Sequence, residues 1–423
     1  MDTTSPETLA ILGCSQLVTL RGPDRPRAGL EMCDVGVIPN GAMLVRQGVI
    51  AAVGGREEIE PSIPAGCEVV DAGGRVVMPG FVDAHTHPVF GGDRLDDFEM
   101  RCSGATYEQI AAKGGGIRST VRQTQAWSSD RLLERAKRHA EWFLRCGTTT
   151  IEAKSGYGLT VEDELRLLRV IRQMGAETPL RVVPTLLAAH AVPECSTAEE
   201  WAELASRELI PAAAEQGLAE YCDAFCEAGY FDVTTVRRLM AVAKRHGLKM
   251  RLHADQLTLS GGALLAAELG AATADHLERV DGAGIAALAN AGVQPVLLPG
   301  SVYALGLAHY APAREMIDAG LAVVLATDFN PGSSPTPSMP MAMSLACTQM
   351  RMTPAEALCA ATINAAWSLG RGSELGSLDV GKQADFAVFD CEDWRETACV
   401  FGVEHARHVF VGGVPTHRRS SMR

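Results

Sequence analysis

The sequence lacks the features that would place the chain in a membrane or in an oxidising compartment. No apolar run approaches the roughly 18 residues of a membrane-spanning helix, and no basic segment precedes the first apolar stretch. The 12 cysteines are scattered along the chain without a single CxxC pair. We therefore predict buried, reduced thiols, no signal peptide, no membrane association and a cytoplasmic protein.

The chain is also short of positive charge. It has 38 Lys and Arg residues against 51 Asp and Glu residues, which gives a net charge of −13 at neutral pH. An acidic chain is a poor partner for nucleic acid or for an anionic membrane surface. A small anionic substrate would therefore need a local cationic group to hold it.

The central part of the chain alternates between two kinds of segment. Eight apolar runs rich in β-branched residues are separated by stretches with amphipathic helical periodicity, such as residues 130–146 and 161–174. Thr160 and Asp163 are placed to cap the second of these helices. Strands alternating with helices predict an α/β fold, and eight such strands predict a (β/α)8 TIM-type barrel, which we place at residues 78–374.

The two ends of the chain have a different sequence pattern from the central part. Residues 33–60 and 376–390 consist of short strand-like runs separated by Gly and Asn-Gly turns, with little helical periodicity. We predict that residues 1–77 and 375–423 pair with each other. They would form one small β-sandwich-like domain that is discontinuous in sequence.

Side chains able to bind a metal stand at the carboxyl ends of several predicted barrel strands. They are His85, His87, His190, His253, His276 and Asp328. In a barrel these strand ends form the face that carries catalytic groups, and side-chain alternation directs His85 and His87 the same way. Three imidazoles and one carboxylate suit Zn2+ or Fe2+ and leave one coordination position for water. We therefore predict one metal per chain, bound by His85, His87, His253 and Asp328.

Longer motifs around these residues narrow the interpretation. They are FVDAHTHPVFGGDR (81–94), GGGI (114–117), EAKSGYGLT (152–160), HADQLTLSGG (253–262), ADHLE (274–278) and TDFNPGSSPTPSMP (327–340). Together they resemble the imidazolonepropionase family of the amidohydrolase superfamily, and the resemblance spans nearly the whole chain. KSGYGL and DFNPGSSPT are much more specific to this family than HxH, which any amidohydrolase can carry.

The resemblance implies a reaction in histidine degradation. Water hydrolyses the cyclic amide C–N bond of 4-imidazolone-5-propanoate and gives N-formimidoyl-L-glutamate. A bound metal would lower the pKa of water toward roughly 7 and so supply the nucleophile. Asp328 is a candidate proton shuttle, and His276 is a candidate acid or donor to the oxyanion. The sequence leaves open which of these two residues carries the proton.

The substrate carries a propanoate group, and the loop after the first strand offers Arg94 to bind it. A planar guanidinium suits a carboxylate bidentately. The resemblance implies further substrate contacts from Tyr157, His190 and Gln256, and contacts to the product's amino-acid end from Asn330, Gly332 and Ser333.

Several alternatives remain at this point. Lys154 raises the option of a carbamate bridge between two metals, but it ends the second strand, whereas binuclear amidohydrolases usually take that lysine from the fourth. We therefore favour one metal, with zinc and iron both open. A nucleobase deaminase would share the metal ligands but has no use for Arg94. A third alternative is a metal-free protein that serves in binding or assembly. The relatives of this family suggest a homodimer.

Overall fold

The computed structural model describes residues 7–419, without the side chains of residues 107, 108 and 111. The outermost parts of the predicted end domain, residues 1–6 and 420–423, therefore lie outside the described residues. In the part that is described, strands and helices alternate through the middle of the chain, and strands dominate both ends.

The strands are β1 (Thr8–Val18), β2 (Val37–Pro39), β3 (Gly41–Arg46), β4 (Val49–Gly55), β5 (Glu68–Pro79), β6 (Phe81–Asp83), β7 (Thr148–Lys154), β8 (Arg181–Ala189), β9 (Tyr221–Cys226), β10 (Lys249–Ala254), β11 (Thr273–His276), β12 (Gln294–Leu297), β13 (Val324–Leu325), β14 (Phe386–Phe389), β15 (Ala406–Val411) and β16 (Val414–Arg418).

The helices are α1 (Arg56–Ile59), α2 (Leu95–Cys102), α3 (Tyr107–Ala112), α4 (Ile117–Ala126), α5 (Ser129–Arg145), α6 (Val161–Glu177), α7 (Ala198–Leu204), α8 (Ile210–Glu215), α9 (Val233–Arg245), α10 (Gly262–Leu269), α11 (Gly282–Ala291), α12 (Pro299–Ala304), α13 (Ala313–Asp318), α14 (Met339–Met350), α15 (Pro354–Ala360), α16 (Ile363–Ser368) and α17 (Glu396–Cys399). Two short 3-10 turns, Gly29–Cys33 and Glu60–Ser62, and a π-helical turn, Ala205–Leu209, complete the regular structure of residues 7–419.

The central strands form a nearly closed parallel barrel. Strands β6 to β13 pair in sequence order as one eight-stranded sheet. The gap between its first and last strands is bridged just beyond their ends, where Thr86 pairs with Phe329 and the backbone N–H of His87 donates to Phe329 O at 2.8 Å. The predicted (β/α)8 barrel is therefore confirmed.

The barrel strands are almost continuously buried because helices cover the outside while side chains fill the interior. Every residue of β7 and β9 is buried. Helix α5 packs an apolar face inward that includes Leu133, Ala136 and Phe143. Helix α6 begins where expected, since the hydroxyl of Thr160 accepts the backbone N–H of Asp163 at 3.0 Å.

Both chain ends contribute to a second sheet. Its strand order is β16-β15-β14-β5-β1-β3-β4, with β2 added on β1. An antiparallel bridge between Val49 and Gln383 brings the β4 edge back to the segment before β14, so the sheet folds over on itself. Phe386 and Phe410 stack inside it with ring centroids 4.4 Å apart. The predicted β structure built from both ends is confirmed.

Two of the sequence predictions concern membrane-spanning helices and cysteines. No helix among residues 7–419 is both long enough and apolar enough to cross a membrane. All cysteines are free thiols, but the prediction that they are buried is wrong for Cys33, Cys102, Cys195 and Cys399, which are exposed. These four stand in loops or at the ends of short helices, outside the barrel strands that bury Cys222 and Cys226.

Candidate active site

Five polar side chains converge at the carboxyl ends of the barrel strands. His85 and His87 follow β6, His253 lies in β10, His276 ends β11 and Asp328 follows β13. Ligand atoms of His85, His87 and His253 lie within 4.8 Å of one another, and so do those of His85, His276 and Asp328. Asp328 Oδ1 is 3.5 Å from His87 Nε2 and 3.7 Å from His85 Nε2. The structure thus brings together the four predicted metal ligands, with His276 beside them.

Two of the histidines lie against buried carboxylates. His85 Nδ1 is 2.6 Å from Asp275 Oδ2, and His253 Nδ1 is 3.0 Å from Asp223 Oδ2. At His85 this hydrogen bond holds the proton on Nδ1 and turns Nε2 outward as a lone-pair donor, whereas at His253 the contact is a close approach of charge without a hydrogen bond. This carboxylate–histidine arrangement is the usual support of a metal-binding imidazole.

The cluster fits a divalent cation. Burial lowers the pKa values of His85 and His87 well below their usual range, so both rings are neutral at pH 7 and can offer lone pairs. His85 Nε2, His87 Nδ1 and His253 Nδ1 are buried and have no hydrogen-bond partner among residues 7–419. Buried polar atoms without partners usually mark a bound ion or water. Neutral imidazoles and a carboxylate are ordinary ligands of divalent metals.

The backbone is strained at two members of the cluster. The φ angle is +54° at Asp328 and +79° at His276, in the left-handed region that non-glycine residues avoid at a cost of about 1–3 kcal/mol. Such strain is concentrated at functional sites. Asp255 has a similar φ of +48°, but its carboxylate accepts the backbone N–H groups of residues 260–263 and organises the loop after β10.

A cavity of about 590 Å3 opens onto the cluster. Its wall includes His87, His253, His276 and Asp328. It also includes every residue for which the sequence predicted a substrate or product contact, namely Arg94, Tyr157, His190, Gln256, Asn330, Gly332 and Ser333. The remaining wall is largely apolar, with Ile117, Phe225, Leu257 and Leu305 among its residues.

Arg94 is held in a fixed position on this wall. Its Nε donates to Thr120 Oγ1 at 2.6 Å, its Nη1 lies 3.1 Å from Asp97 Oδ2, and its side chain is only 10% exposed. The same Asp97 oxygen accepts the backbone N–H of Gly116 at 2.9 Å, which ties the glycine-rich loop to the cavity. A guanidinium held in this way is pre-organised to meet an anion.

The loop after the last barrel strand is shaped by Asn330. Its Nδ2 donates to Asp328 O at 2.6 Å and to Ser333 Oγ at 2.8 Å, while its Oδ1 accepts the backbone N–H groups of Gly332 and Ser333. A Cβ on Gly332 would lie 3.4 Å from Arg94 Nη1. The loop therefore sets the position of Asp328 and approaches Arg94 closely, which explains the family-specific DFNPGSS sequence.

The KSGYGL loop is organised by a carboxylate that the sequence did not single out. Glu164, in α6, accepts the backbone N–H groups of Gly156 and Gly158 at 2.7 Å and of Leu159 at 2.9 Å. A Cβ on Gly158 would lie 2.6 Å from the backbone nitrogen of Glu164, so only glycine fits there. This packing fixes the buried Tyr157 ring at the cavity wall.

The rings of His190, His87 and Tyr157 contact one another in a triangle. Its ring stacks on His87 at 5.3 Å with an interplanar angle of 17°, and the Tyr157 ring centroid is also 5.3 Å away. Burial lowers the pKa of His190 to about 3, so the ring is neutral. Its Nδ1–H donates to Gly156 O at 2.9 Å, which leaves Nε2 as a hydrogen-bond acceptor.

Sequence reasoning missed Arg101 and most of the buried charges around the cluster. Arg101 lines the cavity, and its Nη1 donates to Ala304 O at 3.2 Å. The buried charges, all 0% exposed, are Glu152, Lys154, Asp223, Arg251 and Asp275. A signal for them exists in the sequence, because each is a charged residue inside a predicted barrel strand, where burial is expected.

Comparisons with known proteins agree with the fold. The amidohydrolase family model matches residues 76–415. An imidazolonepropionase from Solibacter usitatus is 58% identical over 97% of this chain and 99% of its own length. One from Symbiobacterium thermophilum is 48% identical over 90% of this chain and 91% of its own length.

A solved structure of E. coli guanine deaminase superposes with a TM-score of 0.75, covering 98% of this chain and 99% of that one. Its sequence identity is 18%, so this similarity shows the shared fold alone. The identity to the two imidazolonepropionases extends over 97% and 90% of this chain. The chain belongs to the imidazolonepropionase family of the amidohydrolases.

Proposed function

We propose that the chain is an imidazolonepropionase, which hydrolyses the ring C–N bond of 4-imidazolone-5-propanoate to N-formimidoyl-L-glutamate in histidine degradation. One observation carries the proposal. A single cavity presents a cluster suited to a divalent metal and, on the same wall, an arginine positioned for a carboxylate. The groups for hydrolysis and the arginine for binding the substrate's carboxylate thus line the same cavity.

The proposed metal is one zinc or iron ion per chain, held by His85, His87, His253 and Asp328. When bound, it would lower the pKa of a water molecule toward roughly 7 and provide the nucleophile. Asp328 is within reach of the same space and can accept the proton of the attacking water and return it to the leaving ring nitrogen.

His276 is the candidate donor to the ring carbonyl oxygen, which becomes negative as water adds. Its Nδ1 lies 3.3 Å from Glu278 Oε1. Burial alone would lower the pKa of His276, but the Glu278 and Asp328 carboxylates outweigh burial and raise that pKa. A protonated or N–H-donating ring suits this role, and such a donor contributes about 3–4 kcal/mol to transition-state stabilisation.

Arg94 would bind the propanoate group, with Tyr157 and His190 completing that end of the site. Gln256 would contact the ring. Asn330, Gly332 and Ser333 would hold the amino-acid end of the product. Their common position on the cavity wall supports these assignments. The resemblance further supports a homodimer that works in the cytoplasm.

The direct test is a substrate assay on the purified protein. We expect loss of imidazolone absorbance together with the appearance of N-formimidoyl-L-glutamate by mass spectrometry. Guanine, adenosine and cytosine serve as comparison substrates, because a deaminase of the same fold would release ammonia from one of them. Deamination without imidazolone hydrolysis would assign the chain to that other activity.

Replacing Arg94 by Ala should raise KM for imidazolone propanoate about 30- to 100-fold, which corresponds to losing about 2–3 kcal/mol of charge-assisted hydrogen bonding. The effect on kcat should be small, because the propanoate group does not react. Steady-state kinetics on the variant measures both constants.

Arg118→Ala is the matched control for this variant. Arg118 lies in the neighbouring helix α4 and carries the same charge, but its side chain is 65% exposed and pairs only loosely with Glu194 at 3.9 Å. Its removal should leave KM unchanged. An Arg94→Ala enzyme with wild-type KM would disprove the carboxylate assignment.

A further inference from the structure

A salt-bridge network is buried beside the candidate metal ligands. Lys154 Nζ, at the end of β7, is 2.9 Å from Glu152 Oε1 and 2.7 Å from Asp223 Oδ2. It is also 3.8 Å from Asp275 Oδ2. All four side chains are 0% exposed. One ammonium group therefore lies among three carboxylates that come from β7, β9 and β11.

Two of these carboxylates lie against the Nδ1 atoms of proposed metal ligands. Asp223 Oδ2, which accepts from Lys154, also lies 3.0 Å from His253 Nδ1. Asp275 Oδ2 lies 2.6 Å from His85 Nδ1. Lys154 is thus one contact removed from two of the four proposed metal ligands, and it reaches each of them through a carboxylate.

The network contains a second cation, but its hydrogen bonds go elsewhere. Arg251 donates to the backbone carbonyls of Ala84 at 2.8 Å and Ser368 at 3.3 Å, and it lies 3.5 Å from Asp275 Oδ2. Lys154, in contrast, directs its donors to carboxylates. Without it, Asp223 would keep the backbone N–H of His253 at its Oδ1 but would lose the charged donor that fixes its Oδ2.

A buried carboxylate is stable only when its charge is paired and its lone pairs accept hydrogen bonds. Removing Lys154 would leave three buried carboxylates with one cation, so their side chains would rearrange. Asp223 would no longer hold the His253 ring in a single orientation. Since a metal site needs its ligand atoms placed in advance, a shifted imidazole binds the ion less tightly.

We propose that Lys154 is a positioning residue that orients His253 through Asp223, and His85 through Asp275, for binding a divalent metal. The proposal rests on the proposed metal site. It also gives Lys154 a role different from the carbamate bridge of binuclear amidohydrolases, because its nitrogen is already engaged by two carboxylates.

The test compares metal binding by the wild-type chain and by Lys154→Met, which keeps an unbranched side chain of similar length and removes the charge. Metal-free proteins are titrated with Zn2+ in competition with a chromophoric chelator. We expect the dissociation constant of Lys154→Met to rise about 10- to 100-fold, the usual effect of losing an outer partner of a metal ligand. The visible spectrum of Co2+-loaded protein should change as well, because it reports ligand geometry.

Glu152→Gln is the matched control. It alters another buried partner of the same lysine but keeps the Lys154–Asp223–His253 chain of contacts. Its Zn2+ affinity and Co2+ spectrum should stay close to those of the wild type. Wild-type affinity in Lys154→Met, or an equal loss in Glu152→Gln, overturns the proposal.

If Lys154→Met does not fold, Asp223→Asn tests the same chain of contacts from the other side, since it preserves the shape of the residue and keeps Lys154. Its Zn2+ affinity should fall by a similar factor, and an unchanged affinity overturns the proposal. A wild-type chain that binds no metal would instead overturn the proposed function itself, so the two failures can be told apart.

Discussion

Stripping the protein of metal with a chelator should reduce imidazolone hydrolysis to less than about 1% of its starting rate, because no residue in the cavity can replace a cation that makes hydroxide available near pH 7. The buried, neutral rings of His85 and His87 provide ligands and no positive charge of their own. Adding Zn2+ or Fe2+ back should restore the rate.

The titration should saturate at one metal equivalent per chain. Elemental analysis of the reactivated protein gives the stoichiometry and identifies which metal the protein retains. Circular dichroism of the stripped protein should be unchanged, since Asp275 and Asp223 still support the His85 and His253 rings. Full activity without metal, or stimulation that continues to a second equivalent, would contradict a single-metal site.

Replacing Asp328 by Ala should lower kcat more than about 1,000-fold, because one side chain serves both as metal ligand and as proton carrier. Burial raises the pKa of Asp328 to about 6, and the His276 and His253 rings oppose that rise. A bound cation would oppose that rise, so the proposed proton-carrying role rests on the position of Asp328 beside the cluster. Retention of more than a few per cent of wild-type activity would exclude the proposed role.

Two further variants separate the functions of Asp328. Asp328→Asn keeps an oxygen ligand but cannot carry a proton, so it should bind metal and remain inactive. Asp255→Asn is the matched control, since Asp255 is also buried at a strand end with a positive φ but faces its own loop. Its kcat should change less than about tenfold. If Asp328→Asn is active and His276→Ala is not, His276 carries the proton.

The parts of the site that follow strand periodicity could be predicted from the sequence. His85 and His87 stand two residues apart after an apolar run, and alternation along a strand directs them to one side. Arg94 follows in the next loop, and the resemblance of the GGDR stretch to the family assigned it to the substrate carboxylate. The eight-stranded barrel follows from the alternation of apolar runs with amphipathic helices.

The supporting carboxylates could not be predicted in the same way. Asp223 and Asp275 reach histidines on other strands, so their contacts depend on the register of strands far apart in sequence. Glu164 lies in an amphipathic helix, where a charged residue is expected to face solvent, yet it turns inward to accept the KSGYGL backbone N–H groups. Lys154 was considered only as a metal bridge, because its two carboxylate partners are visible only in three dimensions.

Between its first and last strands the barrel is closed by a short seam of contacts, in which Thr86 pairs with Phe329, the backbone N–H of Asp328 donates to His85 O at 3.1 Å, and Thr327 donates to the Asp83 carboxylate. The proposed metal ligands lie on both sides of that seam, since His85 and His87 extend from the first strand and Asp328 extends from the last. An ion bound by all three would link the first and last strands of the barrel. Metal binding would then stabilise the fold by an amount that grows with the logarithm of the metal concentration divided by its dissociation constant, and the unfolding temperature would rise accordingly. The cofactor would be a cross-link of the fold as well as a reagent.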